Sequence, residues 1–129
     1  ERLHSLFQRS TISASQRYNA EMNTIPESDW KYMRALKQTL LERMCERINQ
    51  ETANIINDSK KSAHERCLDI FEKTRRDKME VVSAFDDWRR STVFTKIIDI
   101  YRQGLFTDSD LEGLTQQTRE RIDAYMPIN

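Results

Sequence analysis

Glycine and proline are almost missing from this chain of 129 residues: two of each occur, and neither falls between Glu27 and Gln103. These residues are the main breakers of helices, so a long interval without them, rich in Leu, Lys, Glu, Arg, Met and Gln, predicts helix. Cysteine is scarce too. Cys45 and Cys67 are too few for the disulfide framework of a small secreted domain and point to a reducing intracellular compartment. No apolar run approaches the roughly 18 residues of a membrane span. An excess of one charge is also lacking, because 21 basic residues balance 21 acidic ones. That balance removes the global electrostatic footprint of a dedicated nucleic-acid binder.

What is present is charge and a thin apolar content. Hydrophobic residues make up 37% and charged residues 33%, with a mean hydropathy of -0.81. Such a core must be carried on helical stripes, and 129 residues suffice for one domain without metal or disulfide staples. The fold class expected is all-α: an antiparallel helical bundle with two long helices, a third amphipathic helix and short C-terminal helices.

The first long helix is expected to start near Pro26, with Thr24 and Glu27 at capping-box spacing and Ser28 as a second cap. Trp30, Met33, Leu36, Leu40, Met44 and Ile48 then recur every three or four residues, as one buried face requires. Turn-forming residues in 57–66 place a break near Asp58 or Ser59. The second helix carries a stripe of Ala63, Cys67, Ile70 and Phe71, then Met79, Val82, Phe85 and Trp88. Between them, 72–78 lacks a large apolar residue and is expected to be a solvated turn of that helix.

Residues 93–101 are rich in β-branched and aromatic types, which also suit a strand. Helical spacing of Phe94, Ile97, Ile98 and Tyr101, a cap at Ser91 or Thr92, and Gly104 at a left-handed C-terminal position favour helix. Residues 24–129 therefore read as a single helical-bundle domain. Residues 1–23, with Arg2, Arg9 and Arg17, several serines and few acids, share composition with transit peptides. Apolar content there is thin, and a flexible or partner-docking arm is the expectation.

The most specific local pattern is DSDLEG, residues 108–113, which resembles the opening of a calcium loop. It fails at the twelfth position, where a bidentate carboxylate is required and Arg119 stands. Thr107 with Asp110, and Thr115 further on, read instead as helix caps. His64 and Cys67 lie three residues apart on one helical face, a spacing on which metal ligands converge, but no further ligands are evident and no metal is expected. Cys45 would lie opposite Cys67 if the chain turned near Ile56; a turn centred on Ser59 would separate them.

Arg75, Arg76 and Lys78 lie in the turn where apolar packing lapses and are a candidate phosphate-binding face, although Glu72 can pair with Arg75 or Arg76 and a solvated face is the stronger expectation. Trp88, between Asp87 and Arg89 and followed by Arg90, combines residue types common in binding hot spots, although a bundle-closing core role is the stronger expectation for the indole. No phosphate loop, nucleophile elbow or catalytic constellation is visible, so neither an enzyme nor a cofactor is expected. The function anticipated is a non-catalytic helical module for protein–protein interaction or self-association, with Trp88, Arg89 and Arg90 as candidate partner-binding residues. The alternative is a nucleic-acid-binding regulator using Arg75, Arg76 and Lys78.

Overall fold

A computed structural model describes residues 24–126, and the N-terminal arm expected at 1–23 lies outside the described residues. The described chain is all-helical: α1 (Glu27–Ile56), α2 (Ala63–Phe85), α3 (Val93–Arg102), α4 (Asp108–Glu112) and α5 (Gln116–Tyr125). The two long helices form an antiparallel hairpin, α2 also packs on α3, and α3 packs on α5.

The start of α1 differs from the expected Thr24 capping box. Pro26 is the N-cap, and its carbonyl accepts from Asp29 and Trp30 N–H at 3.0 and 3.1 Å. Proline suits this place because its fixed φ, here -53°, leads into the helix and it has no N–H to leave unsatisfied. Glu27 and Asp29 add negative charge to the first turn. At the other end, α1 stops at Ile56 and the chain reverses over 57–62. Ser62 and Glu65 then form a reciprocal capping box that starts α2.

The stripe read onto α2 is only partly buried. Ala84 and Phe85 enter the core, but Cys67, Phe71, Met79 and Val82 are exposed. Among the described residues, α2 meets α3 near its end, where the Ser83 hydroxyl donates to Asp99 and the Ser83 carbonyl accepts from Lys96. The expected solvated turn at 72–78 also needs correcting, since Lys73 is buried there between Glu51 of α1 and Asp77. Trp88 lies past the end of α2, which stops at Phe85.

Helix α3 is the wedge of the core. Five of its ten residues, Val93, Phe94, Ile97, Ile98 and Ile100, are buried against Met33, Leu40 and Met44 of α1 and Ile122 of α5 in one apolar cluster. Truncating a side chain such as Phe94 would cost about 3–5 kcal/mol. Its end is a complete Schellman motif: Gly104 N–H bonds Tyr101 O at 3.0 Å, Leu105 N–H bonds Ile100 O at 3.3 Å, and Gly104 has φ 70°. The buried core residues of α1 end at Met44. Among the described residues, the hairpin from there to the 57–62 turn contributes nothing to the buried apolar core.

Candidate interaction surface

The residues singled out for chemistry are largely occupied inside the chain. Trp88 donates from Nε1 to Ala84 O at 2.8 Å, its ring stacks on Phe85 with centroids 6.1 Å apart, and Lys37 Nζ lies 5.1 Å from its ring centre. Arg90 donates twice to Ile25 O, at 3.2 and 3.1 Å, pinning the entry to α1. Arg89 is exposed and pairs with Asp87 at 2.9 Å. These three contacts make the 86–92 connection a latch between α2, α3 and the start of α1.

The basic cluster of α2 divides between two sides of the hairpin. Arg76 lines one groove between α1 and α2, whereas Lys78 lines the other. Arg75 is exposed. Steps of about 100° per residue spread the three around the helix instead of stacking them on one phosphate-facing stripe.

Asp110 of DSDLEG and the preceding Thr107 form the reciprocal capping box of α4. Among the described residues, no group of three His, Cys, Asp or Glu side chains could hold a metal ion. Cys45 and Cys67 are both free thiols. The turn centres near Ser59, so Cys67 shares an apolar groove with Ile56 and is displaced along the hairpin from Cys45.

Several structural residues gave no signal in the sequence because their partners are distant in the chain. Asp29, buried in the first turn of α1, accepts from Thr115 N–H at 2.9 Å, Thr115 Oγ1 at 2.7 Å and Thr118 Oγ1 at 2.5 Å. A carboxylate from one helix thus caps the N-terminus of α5, where the helix dipole favours it. Arg43 reaches Asp110 Oδ2 at 2.5 Å and Leu105 O at 3.0 Å, while Arg47 bonds the carbonyl and side chain of Gln103. Both arginines place positive charge at the C-terminal end of α3. Tyr32 donates to Asp110 O at 2.8 Å.

Burial opposes ionisation of Asp110, but hydrogen bonds from Thr107 and Arg43 outweigh it and hold its carboxyl below the usual carboxylate range. Burial similarly opposes the charge of Lys73, yet the Asp77 and Glu51 carboxylates it contacts at 2.5 and 3.3 Å raise its pKa above the ordinary lysine value. Burial, then the negative charge of Asp110, raises the pKa of the Tyr32 phenol.

The hairpin consequently has two unlike sides. One groove is charged, lined by Arg47, Glu51, Lys73, Arg76, Asp77 and Glu80 together with Gln103 at the end of α3. Much of that charge is internally paired. The other side is apolar and open. A groove of 370 Å³ runs between Ile48 and Val81–Val82, and a second of 280 Å³ lies between Ile56 and Cys67, Ile70 and Phe71. Around them Phe71 is 66% exposed, Met79 69%, Leu68 52%, Ile56 50% and Val82 44%. Single exposed apolar residues are ordinary, but Ile56, Phe71 and Val82 lining two apolar grooves, with Leu68 and Met79 exposed further round α2, form a patch of the kind that marks interaction sites.

The chain matches no protein-family model, and neither curated proteins nor solved structures include a similar one.

Proposed function

We propose that this protein is a non-catalytic helical interaction module whose working surface is the apolar side of the α1–α2 hairpin. The observation that carries this reading is the exposure of Phe71, Ile56 and Val82 along two apolar grooves, with Met79 and Leu68 exposed further round α2, on a hairpin whose distal half adds nothing to the buried apolar core of the described residues. Covering that side buries apolar area at roughly 25 cal/mol per Å². Binding energy is available there without dismantling the closed core around α3. The Trp88 to Arg90 segment supports the module by fixing the base of the hairpin and is not its contact surface.

A decisive experiment compares the full chain with Phe71→Glu and Met79→Glu variants by size exclusion, both in buffer and in cell extract. Because both side chains are mostly exposed, each substitution costs the isolated fold no more than about 0.5 kcal/mol. The expected result is a wild-type chain that elutes as part of a larger assembly and variants that elute alone. Arg76→Glu, in the charged groove, leaves the assembly intact. Wild type and variants eluting identically as a lone chain in both media would remove the reading.

A further inference from the structure

We infer that the first half of α1 carries a site for the paired carboxylates of an acidic protein segment, built on Arg34 and Lys37 beside Trp30 and Trp88. This site lies at the base of the hairpin and does not depend on what covers the apolar side.

The sequence concentrates positive charge there. Residues 30–41 contain Lys31, Arg34 and Lys37 and no acid, in a chain whose charges balance as a whole. Steps of about 100° per residue bring Trp30, Arg34, Lys37 and Leu41 within about 60° of one another around α1. One stripe therefore runs from an indole through two cations to an aliphatic side chain over about 16 Å.

The fold leaves the two central charges without a carboxylate. The Arg34 guanidinium lies 5.6 Å from the centre of the Trp30 ring, and Lys37 Nζ lies 5.1 Å from that of Trp88. Among the described residues, neither cation makes a hydrogen bond or an ion pair. Neighbouring charges are engaged elsewhere: Lys31 with Glu27 at 3.8 Å, Arg89 with Asp87 at 2.9 Å, and Arg90 with the carbonyl of Ile25. Asp86, exposed at the end of α2, offsets one positive charge. An aromatic ring orients a cation without neutralising it. Arg34 thus keeps the fork of its guanidinium, and Lys37 its ammonium protons, for an anion from outside.

Spacing and number identify that anion. Side chains three apart on a helix have Cβ atoms about 5–6 Å from each other, and a partner helix with Asp or Glu three or four residues apart presents its carboxylates at the same interval. Each carboxylate then gains one charge-assisted pair. A nucleic acid fits poorly, because its backbone is held through many phosphates and its bases stack on open rings. Here two cations are free, both indoles already carry a cation, and Trp88 carries Phe85 as well. An anionic bilayer requires a cluster of about four to eight Lys and Arg.

The test is fluorescence anisotropy of a labelled helical peptide of alanine, leucine and glutamate, with its glutamates one turn apart, titrated with the full chain. The peptide is expected to bind, more weakly as salt rises, whereas the same peptide with glutamine in place of glutamate does not. Arg34→Gln and Lys37→Gln are each expected to weaken binding at least about tenfold in Kd while keeping the wild-type circular dichroism. Arg75→Gln and Phe71→Glu bind the peptide as the wild type does, so this site stands or falls apart from the docking role of the apolar side.

No binding, or equal binding by Arg34→Gln and Lys37→Gln, overturns the site. Loss of the peptide in Phe71→Glu would place it on the apolar side instead and also overturns it. Tighter binding of oligothymidylate or of phosphatidylserine vesicles through the same two residues overturns the acidic protein segment as the partner.

Discussion

At the scale of single residues, two carboxylates fasten the short C-terminal helices to α1. Asp29 accepts three hydrogen bonds at the N-terminus of α5, and Asp110 holds its own helix cap while pairing with Arg43. Asp29→Ala leaves the half-buried Thr115 N–H and the buried Thr118 hydroxyl without their acceptor, and the expected loss is about 2 kcal/mol, read as a lower urea midpoint with unchanged slope. Asp110 makes a pH-dependent contribution. Its folded pKa lies below the unfolded carboxylate value of about 3.9, so the stability it adds is complete above that value and is lost as pH falls through the folded pKa. Asp110→Asn is expected to flatten this acid limb of the stability curve and to cost about 1–3 kcal/mol at neutral pH. Unchanged acid sensitivity in Asp110→Asn would show that the Arg43 pair contributes nothing.

At the scale of elements, the two glycines have different reasons to be glycine. Gly104 ends α3 at φ 70°, with open space around the place of a Cβ, so only the backbone objects to a side chain. Gly104→Ala should cost about 1 kcal/mol, and Gly104→Asn less, because Asn tolerates the left-handed region. Gly113 has φ -74°, an ordinary helical value, but a Cβ there would overlap the Tyr32 ring. Gly113→Ala should cost about 1–3 kcal/mol through overpacking, and most of that cost should vanish in the Tyr32→Ala background. Chemical denaturation of the four proteins as a double-mutant cycle measures both statements. Caps of this kind were legible in the sequence, since Thr107 with Asp110 and Gly104 followed by Leu105 are local patterns. The Gly113 to Tyr32 contact and the Asp29 bracket were not, because each joins residues some eighty positions apart.

At the scale of the whole molecule, the chain divides into a closed half and an open half. Helical periodicity revealed α1 and α3, whose apolar stripes are buried, and it placed the turn between the long helices. It also revealed α2 as a helix but not the exposure of its stripe, because Phe71, Met79 and Val82 have the same spacing whether the same chain buries them or another does. The sequence therefore disclosed that an apolar face exists without disclosing that, among the described residues, this face is exposed. One consequence is a gradient of local stability. In dilute solution, amides of 67–79 are expected to exchange with solvent at least about tenfold faster than those of 33–44, as fewer buried contacts hold their helix. Equal protection in the two segments would contradict the division.

The measurement that tests the central claim most directly is the alkylation rate of Cys67, in the apolar groove, set against that of the thiol in an Arg76→Cys variant lacking both native cysteines. The two positions lie on opposite sides of α2. Docking on the apolar side predicts that Cys67 reacts fast in dilute protein and at least about tenfold more slowly in concentrated protein or cell extract. The control thiol keeps one rate throughout. A Cys67 that reacts equally fast under all these conditions would mean that nothing covers this face, and the account would fail.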